Sequence, residues 1–214
     1  MNVEHTLPVV LALIPLVLGM VGKVARISSI PFQFIGLMTI GVLGGGLVYM
    51  RSAFESDSSI MLVAAAVLLS GFCVILGHGE TKDSSILCAS IMIVLGLGLG
   101  VLLNQGLINR IFLSGFLGYV AFSLNRQHYR SIRTTIILLQ IVTGIILSLG
   151  SVFGGQTLFT VSSLLLAVTF LPLAPFHLPF MGTIGDAKGP LSSFWIVVWL
   201  AIGLAELQMI HSSL

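Results

Sequence analysis

The chain has 214 residues, of which 57% are hydrophobic and 7% charged, with a formal net charge of +2 and a mean hydropathy of +1.14. A soluble domain carries about a quarter charged residues to keep its surface wet, so this composition excludes one and selects a polytopic helical membrane protein. The few basic residues are spread over several loops, which leaves a nucleic-acid role without an electrostatic footprint.

Eight apolar stretches read as membrane spans: 7–22, 30–50, 59–77, 85–103, 107–124, 134–153, 158–174 and 191–210. Each is long enough for a hydrocarbon layer of about 30 Å, and helix is the form that satisfies their backbone in lipid. Glu4 and His5 stand where a signal peptide would be basic, and Lys23 and Arg26 follow the first stretch, so the first helix is expected to be retained. With the N-terminus outside, Lys23, Arg26, Lys82, Arg126, Arg130, Arg133 and Lys188 fall inside, and only Arg51 and Arg110 fall outside. That bias matches the positive-inside rule and places both termini outside. The polar stretches 51–58, 78–84 and 125–133 are too short to fold alone, so the expectation is one transmembrane domain: helices one to four over 1–106, five to eight over 107–214. A four-residue loop, 154–157, should join helices six and seven in a tight hairpin.

In chain order, Gly41 and Gly45 in the second span, and Gly96 and Gly100 in the fourth, have the small-xxx-small spacing that lets membrane helices approach closely. The Gly96, Gly98, Gly100 series lacks the preceding strand a phosphate cradle needs, and reads as helix contact. Cys73 and Cys88 lie near the inner ends of adjacent helices and read as core residues, while His78, Glu80 and Asp83 read as a solvated loop; no metal site is expected. Arg110, near the outer start of the fifth span, is expected to snorkel. Glu206, about one turn from the outer end of the eighth, reads as an interfacial carboxylate within reach of water or a partner subunit, with proton handling as its alternative. His177 follows Pro172 and Pro175, where a broken helix is expected, and reads as a structural histidine at the inner interface with the same alternative. The basic cluster Arg126, His128, Arg130 and Arg133 offers either docking for a cytoplasmic hydrophilic module or contact with anionic lipids.

The stretch from Phe170 to Trp195 carries the most specific pattern. Leu173-Ala174-Pro175-Phe176-His177-Leu178-Pro179-Phe180, followed by Asp186-Ala187-Lys188-Gly189-Pro190-Leu191-Ser192-Ser193, resembles the loop between helices seven and eight of the antiporter-like subunits of respiratory complex I. The spacing is stretched, and Pro179-Phe180 replaces the family's aromatic-plus-proline order. Tyr119, the basic loop and Gly154-Gly155 follow in the family's order, and the family shares the outside N-terminus. The resemblance covers 107–210; helices one to four agree in number and orientation alone. The family usually continues for about six more helices, whereas this sequence ends after its eighth, which implies a truncated member.

That resemblance implies a proton relay built from a glutamate in helix five, a lysine in helix seven and a lysine or histidine in helix eight. The corresponding positions here are about Phe112, about Phe170, and Trp195 or Ile196, all apolar. The expectation is therefore a structural subunit that keeps the helical scaffold without the pump, without cofactor or catalysis of its own, assembled with other membrane subunits in a bacterial inner membrane or equivalent energy-transducing membrane. Hosts in the superfamily include complex I, membrane-bound hydrogenases, formate hydrogenlyases, multisubunit cation/proton antiporters and bicarbonate-uptake complexes. The alternative is an independent small-solute or ion transporter lined by the Gly-rich second and fourth helices and the Pro172-Pro175 break. A haem or quinone anchor is weaker, since all five histidines fall near span ends or in loops.

Overall fold

The computed structural model describes residues 3–25, 29–54, 58–77, 84–125, 132–171 and 190–213. They form eight helices: α1 (Val3–Ala25), α2 (Ser29–Phe54), α3 (Ser58–Gly77), α4 (Ser84–Leu103), α5 (Gly106–Asn125), α6 (Ile132–Phe153), α7 (Gly155–Phe170) and α8 (Pro190–Ser213). Among the described residues there is no strand. Seven of the helices are long and apolar enough to cross a membrane, which marks the chain as a helical membrane protein. The exception is α7, whose apolar part is Thr157–Phe170.

The span expected over 158–174 is thus shifted toward its N-terminal side. Leu171 leaves the helix with φ −78° and ψ 122°, its N–H still donating to the Ala167 carbonyl at 2.8 Å. Pro172 explains the stop, because a proline ring disfavours helical geometry in the residue before it. The expected break at Pro172-Pro175 and the Pro-Phe-His segment lie outside the described residues. The expected four-residue loop between α6 and α7 contracts to Gly154, and Gly155 opens α7 at φ 73°, a left-handed conformation that costs glycine little.

Helix–helix contacts divide the chain into two units, Met1–Asn104 and Gln105–Leu214. In the first, α4 is the central helix, with every residue of 91–102 buried. Its neighbours α1, α2 and α3 all pack against it, which is open to a helix apolar on all sides. Helix α1 approaches most closely and runs antiparallel: a Cβ on Gly19 would lie 2.7 Å from the Ala89 carbonyl oxygen, and one on Gly96 would lie 2.7 Å from the Leu16 backbone nitrogen. Gly96 is therefore a contact glycine, as its spacing suggests. Gly41 and Gly45 are not: a Cβ on either meets nothing within 4 Å. Spacing alone cannot say which face of α2 its neighbours occupy.

The second unit comprises α5 to α8. Its contacts set the helix directions: residues 110 and 116 of α5 meet 163 and 170 of α7 in the same order, and 206 and 199 of α8 in reverse. So α5 and α7 run together and α8 runs against them. Ser148 and Gly144 of α6 face Arg110 and Leu117 of α5 respectively, which makes α6 antiparallel to α5.

Candidate functional site

The interior of the second unit is organised in two layers. On α8 the residues Trp195, Trp199, Ile202 and Glu206 recur at steps of four, three and four, which puts them on one helical face. All four are buried, and the same periodicity buries Leu113, Phe116 and Val120 on α5 and Ser163, Ala167 and Phe170 on α7.

The first layer is polar and draws on all four helices. Arg110 Nη1 donates to Glu206 Oε2 at 2.8 Å, and Arg110 Nη2 donates to Ser163 Oγ at 2.6 Å. The guanidinium carbon lies 4.8 Å from the centre of the Phe159 ring, within cation–π range. On the α6 side, Ser148 Oγ donates to the Arg110 carbonyl at 3.2 Å and Ser114 Oγ donates to Ser148 Oγ at 3.4 Å. Ser151 Oγ donates to the Ser148 carbonyl at 2.7 Å. Both charged side chains are completely buried. Their charges cancel at contact distance, yet Arg110 Nε and Glu206 Oε1 remain without a hydrogen-bond partner.

The second layer is aromatic and lies about 10 Å further along the helices, the rise of seven residues. Phe116 is its hub: its ring centre is 6.1 Å from that of Phe170, 5.9 Å from Trp195 and 5.6 Å from Trp199. Phe170 and Trp199 are 4.9 Å apart. Tilted and edge-to-face contacts of this kind add about 0.5–1.5 kcal/mol each beyond the area they cover. The layer contains no titratable group.

One expectation about these residues is overturned. Arg110 does not snorkel and Glu206 does not reach water: each is sealed against the other, because a single burial satisfies two charges that would each be costly in an apolar interior. Phe112 is buried one turn away from Phe116, the ring that meets Phe170 and both tryptophans. Thus Phe170 and Trp195 are brought around one ring, with Glu206 on the same face of α8. His177 and the basic residues Arg126, His128 and Arg130 lie outside the described residues, and so does the side chain of Arg133.

Sequence reasoning missed the meeting of Arg110 with Glu206 across 96 positions. The signal was present as two opposite charges inside spans whose directions put them at the same depth. Elsewhere, Thr39, Ser70, Ser90, Thr143 and Thr169 each donate to a carbonyl three or four residues back in their own helix. Cys73 is exposed and Cys88 buried, the latter with Sγ 3.9 Å from the Phe32 carbonyl oxygen. Among the described residues no three His, Cys, Asp or Glu side chains gather at one point. Compared with protein-family models, curated proteins and solved structures, the chain matches none.

Proposed function

We propose that this chain is a structural membrane subunit of a complex-I-like multisubunit assembly coupled to ion or proton translocation, and that it does not itself conduct. The observation that carries the reading is the aromatic layer. Phe116, Phe170, Trp195 and Trp199 fill the interior of the second unit, where a proton path would need water or titratable side chains. The buried charges in the unit's polar layer are tied to one another. In this reading both termini face outward, the membrane is an energy-transducing one such as a bacterial inner membrane, and the partners are other membrane subunits. Arg126, His128, Arg130 and Arg133 then serve a cytoplasmic hydrophilic module or anionic lipids.

The alternative, an independent transporter, needs polar groups turned toward a substrate path. Thr39, Ser70, Ser90, Thr143 and Thr169 instead bond to their own helices, which weighs against it. The test has two arms. The chain alone in proteoliposomes with a pH-sensitive dye should give no flux above empty vesicles. Phe170→Leu in the native assembly should leave translocation unchanged. Flux from the isolated chain, or loss of translocation by a normally assembled variant, would refute the reading.

A further inference from the structure

The polar layer has a role that neither charge balance nor scaffold function requires. In the bilayer, lipid tails are as apolar as the helix surfaces, so apolar burial scarcely distinguishes one axial position of a helix from another. On α8 the interior residues Phe194, Trp195, Val198, Trp199, Ala201, Ile202 and Ala205 are all apolar, and of these Trp195 and Trp199 mark its position through the aromatic layer alone. Glu206 is the one charged group on that face, and its partner is fixed in place. The Arg110 guanidinium is held to α7 by Ser163 Oγ at 2.6 Å and by the Phe159 ring at 4.8 Å. If α8 slipped by one turn, Glu206 would move by about 5.4 Å, beyond hydrogen-bond distance of an arginine so held.

The ion pair is also poorly built for stability. One of the two carboxylate oxygens and the guanidinium Nε are buried without partners. A partly satisfied buried pair is commonly matched or bettered by apolar side chains of similar volume, so its value lies in what it excludes. We propose that Arg110 and Glu206 form a register pin: the pair selects the axial and rotational position of α8 against α5 and α7, and contributes little to the stability of the unit.

Site-directed cross-linking tests this on the full chain. Gly203 of α8 faces the end of α7, where a Cβ would lie 2.9 Å from Leu171 Cγ, so Leu171→Cys with Gly203→Cys reports the native register. The free cysteines are first removed by Cys73→Ser and Cys88→Ala. With the ion pair intact, oxidation in membranes should join the two helices nearly completely. Combining Arg110→Leu with Glu206→Leu should leave a chain that accumulates and elutes as one species in detergent, but with cross-linking at least threefold lower. A smaller fall, or failure of that double variant to accumulate, overturns the proposal, since the pair would then be dispensable for register or required for stability. Absence of cross-linking with the pair intact overturns the placement on which it rests.

Discussion

Phe116 touches three aromatic neighbours on two other helices, joining α5 to both α7 and α8. Its removal leaves a void lined by rigid rings that cannot collapse into the space, so the cost belongs to the large-to-small class. Phe116→Ala should destabilise the chain by about 3 kcal/mol, toward the lower end of that class because lipid reduces the transfer contribution. Thermal unfolding in detergent followed by tryptophan fluorescence measures it directly, as Trp195 and Trp199 border the void. At this scale the sequence singles out Phe170 and Trp195 only through the resemblance, and both are buried. It does not reveal Phe116 as the hub or Arg110 as the partner of Glu206. Both facts depend on how helices far apart in sequence align, and periodicity within one helix carries no information about that.

Among the helices, glycine spacing predicts two close approaches, and one of them exists. Gly96 has α1 backbone where its side chain would be, with the Leu16 nitrogen at 2.7 Å and the Ala12 carbonyl oxygen at 2.8 Å. Gly45 carries the same spacing on an open face. Gly96→Leu should therefore drive α1 away from α4 and abolish a monodisperse elution profile. Gly45→Leu should leave the profile and melting temperature of the isolated chain within experimental error. The boundaries of α1 to α6 and α8 are legible to within a few residues because each coincides with a change from apolar to polar sequence. The end of α7 is not marked by polarity, since Leu171, Pro172 and Leu173 continue the apolar run. It is set by the backbone restriction that Pro172 imposes on Leu171.

For the whole molecule, composition decides the class and charge distribution supplies the proposed orientation, but association with other chains is a separate property. If the chain is a scaffold subunit, extraction in mild detergent should bring it out with larger membrane and hydrophilic subunits, visible by mass spectrometry of the intact particle. Isolation as a solitary chain under those conditions would contradict the assignment. Neutralising Arg126, Arg130 and Arg133 together should either weaken attachment of the hydrophilic module or disturb orientation, read by co-purification and by protease accessibility of the termini. An assembly unchanged in both respects would remove docking and topology together as roles for these arginines.

One glycine between α6 and α7 constrains biogenesis as well as architecture. If α7, shorter than the seven spanning helices, also crosses the bilayer, the single residue between it and α6 offers no slack to park a nascent segment. In that case the pair enters as a preformed hairpin, and its commitment to the bilayer falls after synthesis of Phe170, not of Phe153.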